Sequence, residues 1–330
     1  MMEQLAVTLA DIRAAESRIK GLVRHTPIRE DAVLSGRLGV PVLLKQEYKQ
    51  DTGAFKLRGA TNAILSLPAE VLARGVVTAS TGNHGRALAH AARAAGVRAV
   101  VCLSRLVPEN KIAAIRDLGA EVRIIGASQD EAMQEVVRAV QAEGLSEVPP
   151  FDHPAVIAGQ GTLGLEIVAD CPRVATLLVP LSGGGLAAGV ALAAKALRPE
   201  LRVIGISMRR GAAMGASLAA GHPVQVSELP TLADSLGGGI GLDNRISFDL
   251  CRALLDEVIL LSEAEIAAGM RHIHAATGDP VEGAAAVGVA ALLAGKIKPH
   301  GPIVAILSGC NVAPDLFARV LCRDPELEAC

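Results

Sequence analysis

The chain has no tryptophan, one tyrosine (Tyr48) and four phenylalanines among 330 residues. That leaves no platform on which bases or sugar rings could stack. Charge of either sign is in no excess: 32 Lys+Arg against 34 Asp+Glu leave −2. The electrostatic case for nucleic acid or an acidic membrane surface is therefore missing. The six cysteines are widely spaced and form no C-x-x-C pair, so free thiols in the cytoplasm are the economical reading. There is no G-x-x-x-x-G-K-S/T loop for a nucleoside triphosphate and no G-x-S-x-G elbow for a serine hydrolase. Residues 1–20 mix Glu3, Asp11, Arg13, Glu16 and Arg18 through the apolar positions, which does not suit a signal peptide. The one uncharged run long enough to cross a bilayer, Val174 to Ala194, is interrupted by Pro180 and by Gly183, Gly184 and Gly185. It reads as a buried strand, a tight turn and a buried helix.

What the sequence does have is alternation. Short apolar strands are expected at Val42–Leu44, Gly75–Ala79, Val97–Leu103, Glu121–Ile125, Ala175–Leu181, Leu201–Ser207, Val258–Leu261 and Ile303–Leu307. Helical stretches lie between most of them. Thr8 opens one over residues 8–20, and Ser128 with Glu131 three positions on forms a capping box for another, closed by Gly144. Further helices are expected from the polar turn at 80–84 to Ala95, from Pro108 to Gly119, and over Leu186–Leu197, Glu263–Ala276 and Pro280–Leu293, with 211–245 rich in loops. Strands apolar on both faces and separated by helices imply parallel sheets covered by helices, an α/β fold. Pro149-Pro150 divides two such runs, giving two lobes with a cleft between them, the smaller at about 71–150.

Four stretches carry chemistry. In Gln50-Asp51-Thr52-Gly53-Ala54-Phe55-Lys56 a glycine turn delivers a lysine to the start of a helix. The partial positive charge of a helix N-terminus favours the neutral amine, the form Schiff-base chemistry needs, although a solvated lysine is the ordinary reading. Ser182-Gly183-Gly184-Gly185-Leu186 joins a strand to a helix and offers backbone amides to an anion. The same glycines fit a loose dinucleotide pattern, but the next strand end, Gly205-Ile206-Ser207, offers no acid for a ribose. Ser80-Thr81-Gly82-Asn83-His84 is a second strand-to-helix turn, able to hold a carboxylate or simply to cap its helix. Leu307-Ser308-Gly309-Cys310-Asn311 ends the last strand, and Cys310, with no base beside it, suits a small buried residue. His84 and His90, or His272 and His274, have no third ligand in zinc-site spacing.

Taken together and in their order along the chain, these pieces, with Glu282-Gly283-Ala284, resemble the tryptophan-synthase-β-like pyridoxal-phosphate (PLP) enzymes of fold type II. Within that group they are similar to the serine/threonine dehydratase and serine racemase branch. Asp152 to Thr162 and Thr231 to Gly239 look most like its hydroxyectoine-utilisation dehydratases. The resemblance implies a two-lobed α/β/α fold, with residues 1–70 and 151–330 forming the large PLP-binding domain and 71–150 a small mobile one. It implies Lys56 as the Schiff-base lysine and α-proton base, with Phe55 packed beside the cofactor. Asn83 would serve the ring hydroxyl, Gly183, Gly184, Gly185 and Leu186 the phosphate, Ser308 the pyridine nitrogen, and Glu282 a place behind the ring. Ser80, Thr81, Gly82, Asn83 and His84 would take the substrate carboxylate. Thr81 stands where the racemase has its second acid–base serine.

The implied activity is an ammonia-lyase converting an L-threonine- or L-serine-type β-hydroxy amino acid to a 2-oxo acid. A hydroxyectoine-derived amino acid and serine racemisation are the alternatives. The implied form is a cytoplasmic homodimer or homotetramer. Ala54 replaces the family's usual serine, and Ser182 its first phosphate-loop glycine. Gly205-Ile206-Ser207, Gly211 and Ala213 lack the carboxylates of the racemase metal site, so no metal is expected. Outside the family, a nicotinamide-dependent dehydrogenase and a non-catalytic small-molecule sensor remain open.

Overall fold

Ten strands segregate into two sheets in the computed structural model, which describes residues 6–80, 82–107 and 109–328. In chain order they are β1 Ile28–Glu30, β2 Val42–Gln46, β3 Val76–Ala79, β4 Ala99–Leu103, β5 Glu121–Ile124, β6 Ser146–Glu147, β7 Thr176–Pro180, β8 Arg202–Met208, β9 Glu257–Leu261 and β10 Ile303–Leu307. The larger sheet runs β1-β2-β10-β7-β8-β9 and the smaller β5-β4-β3-β6. Only β1 and β2 pair antiparallel; every other pairing is parallel, as strands linked through helices require. All four strands of the smaller sheet come from residues 76–147. Strands β4 and β10 are buried along their whole length, which explains their unbroken apolar sequence.

Helices cover both faces of the larger sheet. Leu9–Ile19, Pro154–Asp170 and Gly185–Leu197 share one apolar cluster, and Glu263–Thr277 and Gly283–Leu293 another on the opposite side. Capping boxes open the helices at Thr8, Ser128 and Ser262, and left-handed glycines close those ending at Gly96, Gly144 and Gly278. The uncharged run 174–194 is divided between β7 and the helix Gly185–Leu197. Among the described residues no helix is long and apolar enough to cross a membrane.

The helix Lys56–Leu65 lies between the sheets. Leu57, Ala60, Ala63 and Ile64 join the core of the smaller sheet. Its other side meets Pro154–Asp170 so closely that a Cβ on Gly159 would stand 2.6 Å from the Arg58 carbonyl oxygen and 2.7 Å from Gly59 Cα. Beneath that contact the buried Arg58 guanidinium pairs with Glu47 at 2.8 Å and Glu166 at 2.6 Å, fixing the helix's rotation and therefore where Lys56 points.

Two helices depart from the sequence reading. Pro154–Asp170 has no amphipathic stripe because Val156 to Leu165 are buried all round. Ala213–Ala220 forms within the stretch expected to be loop-rich.

Candidate active site

Beyond the carboxyl ends of β3, β7 and β10, where Ala79, Pro180 and Ser308 stand, lies a cavity of about 640 Å³. This is where parallel α/β sheets place ligands. Phe55, Lys56, Ser80, Gly82, Asn83, His84, Gly183, Gly184, Gly185, Leu186, Glu282 and Ser308 all line it. Thr81 lies outside the described residues.

Lys56 is the first residue of its helix. The turn before it is stitched to the end of β10: Phe55 N–H donates to the Ser308 carbonyl at 3.0 Å, and Cys310 N–H to the Gly53 carbonyl at 2.9 Å. Lys56 Nζ donates to the Pro150 carbonyl at 2.7 Å and sits 5.3 Å from the centre of the Phe55 ring. Burial lowers its pKa to about 8, with the Glu282 charge opposing. Burial thus joins the helix terminus in favouring the uncharged amine.

At the same cavity, Gly184 caps the helix Gly185–Leu197 with φ +89°, a conformation that suits glycine. A Cβ on Gly183 would overlap the Phe151 ring, one on Gly184 would come within 2.7 Å of Met214 Cε, and one on Gly185 within 2.9 Å of Phe151 Cα. The space beside this backbone is reserved for main-chain amides at a helix N-terminus, an anion cradle. The cradle is held from behind. Ser247 Oγ donates to the Gly183 carbonyl at 2.7 Å, and Asp152 accepts from Ser247 N–H at 2.7 Å. Sequence reasoning gave Asp152 and Ser247 no role.

A third helix, Asn83–Ala95, starts at the cavity after Ser80 and Gly82. Asn83 Nδ2 donates to both oxygens of Glu282, at 3.0 and 3.1 Å. Burial pushes the Glu282 carboxyl up to about 7, against the stabilising Asn83 amide. His84 is also buried, its pKa lowered to about 3 by burial and then by Lys56, so it is neutral and donates from Nε2 to the Val148 carbonyl at 2.8 Å. That bond ties the ring to the chain after β6.

The remaining sequence candidates fall elsewhere. His272 pairs with Asp31 at 2.7 Å, and His274 packs edge-on to Phe317. Cys310 sits 3.7 Å from the Tyr48 carbonyl, with burial raising its thiol pKa. Lining residues to which motif reading gave no role include Pro150, Phe151, Arg86, Lys111, Asp234 and Asn311. Lys111 and Asp234 pair at 3.9 Å between the helix Glu109–Asp117 and the loop after β8.

A family described as pyridoxal-phosphate dependent enzyme matches residues 19–309. A Sinorhizobium fredii protein named "Putative threonine dehydratase" is 58% identical over 322 residues, 97% of each chain. An L-threonine ammonia-lyase of Thermotoga maritima is 40% identical over 96% of this chain and 78% of its own. The structure of maize serine racemase superposes with a TM-score of 0.90 at 32% identity, covering 97% of this chain and 98% of that one. The chain belongs to the PLP-dependent serine/threonine dehydratase family, with the tryptophan-synthase-β-like fold.

Proposed function

We propose that this chain is a dehydratase that takes a β-hydroxy amino acid of the L-threonine or L-serine type to a 2-oxo acid and ammonia. The observation that carries the reading is that Lys56 and the Gly183–Gly185 cradle face one cavity. The likeness to proteins named threonine dehydratase and L-threonine ammonia-lyase supports it.

The residues fit the cofactor. The bare backbone of the cradle, with Leu186, would hold a phosphate, Lys56 would carry the aldehyde, Asn83 would serve the ring hydroxyl and Ser308 the pyridine nitrogen. PLP, once bound, supplies an electron sink beside the substrate's α-carbon. Everything else falls to the chain. The helix start at Ser80, Thr81, Gly82, Asn83 and His84 would take the substrate carboxylate. Lys56, neutral once free, would remove the α-proton as general base. Loss of the β-hydroxyl as water leaves an enamine, whose hydrolysis gives the 2-oxo acid and ammonia. Ser308, an uncharged hydroxyl, would leave the ring nitrogen without the fixed negative partner that holds it protonated, which favours prompt loss of a β-leaving group. Residues 71–150 would close as a small mobile domain over the large one formed by 1–70 and 151–330, in a cytoplasmic homodimer or homotetramer.

Purified protein should be yellow, lose that colour with borohydride, and release 2-oxo acid from L-threonine or L-serine. A colourless protein that forms no 2-oxo acid from any β-hydroxy amino acid would end this reading. A panel including a hydroxyectoine-derived amino acid separates the alternative substrate. The likeness to maize serine racemase keeps racemisation as a second activity, read from D-isomer formation.

A further inference from the structure

Asn83 reaches the cavity as the third link of a four-residue relay. Arg86 Nη1 donates to Asn311 Oδ1 at 2.8 Å, and Asn311 Nδ2 donates to Asn83 Oδ1 at 2.6 Å. Asn83 Nδ2 then donates to Glu282, and the Asn311 backbone amide supports the same carboxyl. The direction of this relay is fixed chemically. A guanidinium only donates and a backbone carbonyl only accepts. Asn311 Nδ2 also donates to the Thr52 carbonyl at 2.9 Å, so reversing the Asn311 amide would set like groups together at both ends. With Asn311 oriented, Asn83 must turn its oxygen to Asn311 and its nitrogen to Glu282. Asn311 sits in the turn after β10, whereas Asn83 and Arg86 sit on one helix beside the smaller sheet, so the relay also ties that helix to the larger one.

Resting on the proposed PLP reading, we infer that Asn311, oriented by Arg86, is a positioning residue that holds the Asn83 amide with its N–H groups toward the cofactor. Asn83 Nδ2 donates to both Glu282 oxygens, and from that position it would also serve the oxygen on the ring once the cofactor binds. An aspartate at 311 accepts from Arg86 but cannot donate to Asn83 Oδ1, so the amide loses its orientation with almost no change of volume.

The test compares wild type, Asn311→Asp, Asn83→Ala and the double variant as holoenzymes. It measures the dissociation constant of PLP by equilibrium dialysis and the absorbance of the bound cofactor, without substrate. Asn311→Asp is expected to weaken PLP binding about tenfold, the scale of one lost hydrogen bond, and to shift the absorbance maximum. In the Asn83→Ala background the same change should do neither. Wild-type binding and absorbance in Asn311→Asp would overturn the inference, as would an equal loss in both backgrounds. Should Asn311→Asp fail to fold, Arg86→Met removes the outer donor and should shift the spectrum in the direction that Asn83→Ala shifts it; an unaltered spectrum and affinity would overturn the inference. Wild-type protein that takes up no PLP removes the proposed function and this inference together, whereas normal wild-type uptake with an unaffected variant removes the inference alone.

Discussion

Two helices begin at one cavity and carry opposite solutions to the same field. Lys56–Leu65 opens with a cationic side chain, whereas Gly185–Leu197 opens on three glycines with no side chain at all. Both N-termini concentrate partial positive charge and favour anions. At the glycines that field is left bare for a ligand, and any Cβ would collide with Phe151 or Met214. At Lys56 it adds to burial in disfavouring the charged amine, whose pKa burial lowers to about 8. A helix terminus is thus an anion site where the chain withdraws its side chains, and a means of making a nucleophile where it supplies an amine. A third terminus, at Gly283–Leu293, carries Glu282 as its cap, and there burial outweighs the field and raises the pKa to about 7.

Removing the amine should have the largest effect. Lys56→Ala is expected to lower turnover on the order of a thousandfold, read as 2-oxo acid release, while the thermal melt stays cooperative. Filling the glycine terminus comes next. Gly183→Ala places a methyl against the Phe151 ring and should cost about 1–3 kcal/mol, seen as a lower melting temperature and weaker PLP uptake. The third terminus gives a pH signature. A Glu282 carboxyl protonated up to about pH 7 when folded but only to about 4.5 when unfolded binds the extra proton in the folded state. Apoprotein stability should therefore fall as pH rises through that window, and Glu282→Gln should remove the slope, gaining on the order of 3 kcal/mol above pH 7. Chemical denaturation at pH 5 and pH 8 measures it. The smallest effect is kinetic: PLP uptake by apoprotein should quicken as pH rises through about 8, where Lys56 loses its proton, and level off beyond it, well short of the range of an exposed lysine.

How much of this was legible depended on distance along the chain. The caps at Ser128 and Ser262 and the stops at Gly96 and Gly144 are written within a few residues, and they stand where local rules put them. So do the glycine cradle between β7 and its helix and the lysine at the start of its own. The helix Pro154–Asp170 was unreadable because burial on every side erases the periodicity that reveals a helix. The relay through Asn83 joins positions separated by 199 and 228 residues, and the buttress from Ser247 to Gly183 spans 64. Nothing local marks such pairs. The resemblance put Glu282 behind the ring, but only the packing shows that both oxygens of its carboxyl are held by the Asn83 amide. The pairing of Lys111 with Asp234 was unreadable for the same reason, each an ordinary charge until the fold sets them 3.9 Å apart at the cavity.

The measurement that bears most directly on the cavity's chemistry is borohydride reduction of the yellow holoenzyme, followed by digestion and identification of the labelled peptide. The label is expected on Lys56. A label on Lys45, Lys49 or Lys111, or a protein that retains none, would contradict the placing of the reactive amine at the start of its helix.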